Sequence, residues 1–205
     1  MTAQIPDKII YKGEKYPLHT NPMEDYFAKY PDKRPYSTVQ SSALWRGYVA
    51  TFEIIDNQLY LKDIEIEIGT NDEQENYRSS RKSVINEVFP NQETVKVDWM
   101  TGSLVLPSGK MVEYVHMGYA STYEHYILLE IENGDLKSEK QLGYEEYNNI
   151  RDQKFQDFKK TDEYQHMKAR LQKLKDNDNE LREGKLRGID DNFIESYLRQ
   201  LSRIE

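Results

Sequence analysis

Apolar and polar positions alternate most regularly over Leu44–Ile68, LWRGYVATFEIIDNQLYLKDIEIEI. The stretch predicts two long β-strands joined at Asp56-Asn57, a pair that tolerates the positive φ of a tight two-residue turn. Along the first strand Leu44, Arg46, Tyr48, Ala50, Phe52 and Ile54 fall on one face, and Trp45, Gly47, Val49, Thr51, Glu53 and Ile55 on the other. Both faces carry apolar groups, which predicts a central strand covered in part on each side. In the second strand Leu59 and Leu61 are apolar at odd positions, but Ile64, Ile66 and Ile68 at even ones. A strand changes phase only by absorbing an extra residue, so a β-bulge is expected near Lys62-Asp63. Gly47 would let the backbone approach closely or coil there.

Shorter patterns flank this hairpin. Residues 8–20 read as a small hairpin turning at Lys12-Gly13, with Pro17 marking a sheet edge. Pro22 opens a short helix carrying Met23, Tyr26, Phe27 and Tyr30 on one side, and Pro31 ends it. The stretch 69–83, GTNDEQENYRSSRKS, has no period and reads as a loop, leading to a helical turn before Pro90. Strands are expected at 95–99 and 103–106. A turn at Pro107-Ser108-Gly109-Lys110 then leads into a strand at 111–116, with further strands at 123–132 and 136–141 joined by Asn133-Gly134.

After Gly143 the spacing becomes helical. Tyr147, Ile150, Phe155 and Phe158 form one run, and Tyr164, Met167, Leu171 and Leu174 the next, which Thr161 or Asp162 can cap. Asp176-Asn177-Asp178-Asn179 is expected to interrupt it. Asp190 or Asp191 can then cap a last helix with Phe193, Ile194, Tyr197, Leu198, Leu201 and Ile204 on one stripe. The expected fold class is α+β, a curved antiparallel β-meander of about eight strands packed against C-terminal α-helices. Residues 1–142 would form the sheet region and 143–205 the helical region of a single domain.

Composition narrows the chemistry. The 205 residues include no Cys, which removes disulfides, thiolate zinc sites and a cysteine nucleophile and suits a reducing cytoplasmic setting. The 16 Tyr against 6 Phe leave many rings with a hydroxyl for the wet edge of a core. No window approaches a membrane span, and the first ten residues lack a targeting pattern. Net charge is −8, of which residues 1–142 supply −7 (15 Lys/Arg against 22 Asp/Glu). Much of this lies in Glu53, Asp56, Asp63, Glu65, Glu67, Asp72, Glu73 and Glu75. Such a chain repels nucleic acid and attracts a basic protein partner or a cation.

Three groups of residues could carry chemistry. His116, Tyr119, Ser121, Tyr123, Glu124 and His125 fall within ten positions at a strand connection. A His there could act as base on Ser121, or the two His and Glu124 could hold a metal. Ser121 lacks a nucleophile-elbow context, and no metal-binding spacing is present, so no metal and no cofactor is expected. Trp45 and Arg46 form the second group. A buried Arg46 needs an acidic partner, and a free one could grip an anion. Asp63, Glu65 and Glu67 form the third, three carboxylates on one strand face. They are expected to be solvated, to dock a basic partner, or to hold Ca²⁺ or Mg²⁺.

The blocks LWRGYVATFEI…LYLKDI (44–64) and YVHMGYASTYEHYILLEI (114–131) resemble a family of small bacterial cytosolic proteins with a Trp-Arg-Gly strand and a His-Met-Gly-Tyr segment. The resemblance covers about a third of the chain and implies a bacterial, cytosolic single domain; it carries no activity. The leading expectation is a non-enzymatic, acidic protein–protein interaction module, comparable to the immunity proteins that neutralise toxins. The alternative is a small-ligand binder or hydrolase using the His116–His125 loop with Arg46, and a third is an oligomer built through the C-terminal helices.

Overall fold

A computed structural model describes residues 2–71, 77–182 and 191–201. The chain is α+β, and its strands form one mixed sheet that is not closed. Strands β1 (Asp7–Tyr11) and β2 (Glu14–Leu18) form the first hairpin, turning at Lys12 and Gly13 with φ of 52° and 81°. Helix α1 (Pro22–Lys29) follows, and the chain returns as β3 (Tyr48–Ile55) beside β1.

That pairing is parallel, so the sheet is mixed where an antiparallel meander was expected. Strand β2 has already returned the chain to the end where β1 begins, and residues 19–47 carry it to the other side of β1, so β3 sets out in the same direction as β1. The expected strand start at Leu44 is corrected. Leu44–Gly47 is a turn, closed by the Gly47 N–H on the Leu44 carbonyl at 3.0 Å, with Gly47 at φ 80°.

Strand β4 (Gln58–Asn71) pairs antiparallel with β3 across Asp56 and Asn57, whose φ values are 50° and 59°. Thr51 faces Asp63 while Phe52 faces Leu61, so Lys62 is the extra residue of the expected bulge. Upstream of it Leu59 and Leu61 are buried, and downstream Ile64 and Ile66 are. On its other margin β4 pairs with β5 (Tyr77–Ser83). The loop expected over 69–83 is thus mostly a polar hairpin, in which Glu67 faces Arg81 and Ile66 faces Lys82. The polarity of β5 hid it, because YRSSRKS carries no alternating apolar face. Residues 72–76, with Asp72, Glu73 and Glu75, lie outside the described residues.

Helix α2 (Ile85–Val88) and the two-residue β6 (Val95–Lys96) lead to β7 (Gly102–Glu113). The turn expected at Pro107–Lys110 is instead a bulge in this continuous strand. Ser108 faces His125 of β8 (Thr122–Glu132) and Met111 faces Tyr123, leaving one residue over, with Gly109 at φ 75°. Asn133 and Gly134, at φ 49° and 79°, turn β8 into β9 (Asp135–Gly143).

The sheet runs β2-β1-β3-β4-β9-β8-β7 and curls until its end strands meet. There the His19 N–H donates to the Val105 carbonyl at 2.9 Å, and Thr20 Oγ1 accepts from the Val105 N–H at 3.1 Å. Ile9, Leu18, Tyr48, Phe52, Leu59, Ile64, Leu104, Leu106 and Leu129 form one apolar cluster, joined by Met23 and Phe27 of α1.

The chain divides into two compact units, Met1–Tyr144 and Glu145–Glu205. The second holds most of α3 (Tyr144–Phe158), with α4 (Asp162–Arg182) and α5 (Asp191–Leu201). Its own cluster is Phe155, Tyr164, Ile194 and Leu198, backed by Phe158, Met167 and Leu171. Thr161 Oγ1 accepts the Tyr164 N–H at 3.2 Å, the expected N-cap. Helix α4 runs through Asp176–Asn179, where an interruption was expected. Asp190, Ile204 and the side chains of Phe193 and Leu201 lie outside the described residues. Among the described residues no helix is long and apolar enough to cross a membrane.

Candidate functional site

The densest polar arrangement gathers where the N-terminal segment, the Leu44–Gly47 turn and the loop after β7 meet. The segment bridges to the loop: the Gln4 N–H donates to the Gly118 carbonyl at 3.0 Å, and the Gly118 N–H to the Thr2 carbonyl at 3.2 Å. Gln4 also reaches the turn, where its Oε1 accepts the Trp45 N–H at 3.0 Å.

At the centre lies a buried ion pair. Asp7 is fully buried, and its Oδ1 accepts from Arg46 Nη2 at 3.1 Å and from the Ala50 N–H at 2.8 Å. Arg46 donates further to the Ile5 carbonyl at 3.0 Å and to the Tyr119 hydroxyl, and its guanidinium lies over the rings of Tyr48 and Tyr119. Tyr119 donates to Asn21 Oδ1 at 2.9 Å and stacks on His19, with ring centroids 4.9 Å apart.

A second, outer pair adjoins it. Glu24 of α1 accepts from the Tyr48 hydroxyl at 2.7 Å and from both terminal nitrogens of Arg34 at 2.8 and 3.1 Å.

Burial pushes the Asp7 carboxyl up to about 6, against the pull of the Arg46 charge and the Ala50 N–H. Desolvation pulls Arg46 down, yet Asp7, Tyr119 and Tyr48 together outweigh it and hold the guanidinium above its ordinary value. Burial raises Glu24, yet the hydrogen bonds from Arg34 and Tyr48 outweigh it and hold the carboxylate below its usual range. Burial pushes the Tyr119 hydroxyl to about 12 and Tyr48 further still, so both remain neutral donors.

The other expected site residues are spoken for locally. Ser121 Oγ accepts the Val115 N–H at 3.0 Å and donates to the Val115 carbonyl at 3.3 Å, closing its own loop. Glu124 accepts the Lys110 N–H at 2.9 Å and braces the β7 bulge. His116 Nδ1 shares a hydrogen bond with the Tyr114 hydroxyl at 2.7 Å. His125 lies opposite Ser108 and borders a depression with Tyr16, Ile127 and Gln141. Tyr123 is half-buried and turns a ring edge to His19 at 5.7 Å. Among the described residues no three His, Cys, Asp or Glu gather where they could hold a metal ion.

The carboxylate stripe is partly neutralised. Asp63 Oδ1 accepts from its neighbour's N–H and from Ser83 Oγ at 2.6 Å. Glu65 stands 3.4 Å from Lys8 and 3.7 Å from Arg81, and Glu67 faces Arg81 across the ladder.

Trp45 stays outside, 57% exposed, and Tyr114 is 60% exposed. Sequence reasoning missed Asp7, His19, Asn21 and Glu24. The one signal pointing to Asp7 was the demand of a buried Arg46 for a carboxylate, and no spacing rule selects which. Comparison with protein-family models, with curated proteins and with solved structures returns no match.

Proposed function

We propose that this chain is a non-enzymatic interaction module that engages a basic protein partner, in the manner of immunity proteins. One observation carries the reading. Trp45 and Tyr114 stand exposed beside a turn and a loop that are held in place by the buried Arg46 network. Rigid aromatics of this kind give large contact area at little ordering cost, which is why they anchor interfaces. The net charge of −8 favours a cationic partner.

A hydrolase or ligand binder built on His116–His125 with Arg46 draws less support. Its hydroxyl and carboxylate brace main chain, and its Arg46 is bound to Asp7. The Asp63–Glu67 stripe is a weaker contact surface than its charge suggests, since Lys8 and Arg81 already stand beside it.

The test is capture of a basic protein from host extract by the full chain, repeated with Trp45→Ala/Tyr114→Ala. The expected result is a defined cationic partner whose binding weakens with salt and falls at least about tenfold in the double variant. Recovery of no partner, or equal recovery by the double variant, would sink the reading.

A further inference from the structure

Asp7 is the only fully buried carboxylate among the described residues, and its two oxygens are unequally served. Oδ1 takes both the Arg46 and the Ala50 donors, while Oδ2 has no hydrogen-bond partner. Full burial with one oxygen unserved penalises the charged form, and a proton on Oδ2 removes that charge while leaving Oδ1 its two donors. Arg46, whose Nε is already without a partner, would not lose its remaining acceptors on protonation of Asp7. It keeps Asp7 Oδ1, the Ile5 carbonyl and the Tyr119 hydroxyl as acceptors, and the faces of two tyrosine rings.

We propose that Asp7 is a proton-linked clasp: uptake of a proton tightens the junction of residues 2–5, the Leu44–Gly47 turn and the 114–121 loop, and its loss loosens it. The sign follows from linkage. A carboxyl that opens into water returns to the ordinary carboxylate range, so the closed junction binds the proton more tightly than the open one. Raising the pH through the closed-state value therefore favours opening.

Other charged or titratable groups face Asp7 from the elements packed on it. They are Arg46 from the turn, Tyr48 from β3, Glu24 from α1 with its partner Arg34, and Tyr119 from the 114–121 loop. Arg34 and Arg46 stay cationic and the two tyrosines stay neutral across the relevant range. Glu24, held low, changes charge only in stronger acid. His19 is the group to control for, since it stacks on Tyr119 and imidazoles change charge between pH 5 and 8.

The experiment is a carboxyl ¹³C titration of Asp7 in the full chain, joined to amide exchange of residues 2–5 and 114–121 between pH 5 and 8, corrected for intrinsic rate. Expected are a midpoint near 6 and a fall in protection approaching about tenfold, most of it complete by pH 7. His19→Gln should keep this dependence, and Asp7→Asn, which holds the neutral shape, should abolish it. A midpoint below 4, or protection that does not change with pH, overturns the proposal. The wild-type titration decides the matter even if Asp7→Asn does not fold.

Discussion

At the level of single residues, the positions that turn the chain are dictated by backbone sterics. Lys12-Gly13, Asp56-Asn57 and Asn133-Gly134 all adopt positive φ at both positions, as the twist of a two-residue hairpin requires. These pairs were readable in advance because so few residues tolerate that geometry. Their costs differ with surroundings. A Cβ on Gly134 would lie 2.6 Å from the Val97 carbonyl oxygen, whereas one on Gly13 meets nothing within 4 Å. Gly13→Ala should thus cost only the left-handed penalty of about 1 kcal/mol, and Gly134→Ala about 3 kcal/mol or more. Chemical denaturation of the two variants checks the ordering, and equal losses would refute it. Asp7 shows what a residue-by-residue reading misses. Its partner Arg46 lies 39 positions away, and a surface aspartate has the same sequence appearance.

Among elements, the bulge at Lys62 was legible because the apolar positions of β4 change phase on either side of it. Deleting Lys62 removes the spacer, so continuous pairing would turn either Leu59 and Leu61 or Ile64 and Ile66 away from the core. The deletion variant should lose cooperative thermal unfolding. If circular dichroism showed it melting like the parent, the bulge would not be what sets the phase of β4. Strand β5 and the bulge at Gly109 were not legible, for opposite reasons. The first is a strand held by cross-strand pairing of polar residues, as where Glu67 faces Arg81, with no apolar face to announce it. The second has the Pro-Ser-Gly sequence of a turn, but Glu124 binds the Lys110 amide and keeps the strand continuous.

For the molecule as a whole, α+β organisation followed from the change of period near Gly143, where alternation gives way to helical spacing. The parallel placement of β1 beside β3 did not, since strand order depends on contacts between residues some forty positions apart. Each of the two units has an apolar cluster of its own. Residues 1–144 expressed alone should therefore keep a β-type circular dichroism spectrum and a cooperative melt. Loss of cooperative melting would show that the helical unit completes the core of the sheet.

The curled sheet has a seam where one backbone hydrogen bond from His19 to Val105, and a Thr20 hydroxyl that takes the Val105 N–H and donates to the Ser103 carbonyl, stand in place of a full ladder. Thermal breathing should start along this line, baring the margins of β2 and β7. Pro17 interrupts one margin and Pro107 with the Gly109 kink the other, so neither offers an unbroken row of donors. A molecule unzipped there makes a poor template for a neighbour's strand, and momentary opening need not seed fibrils.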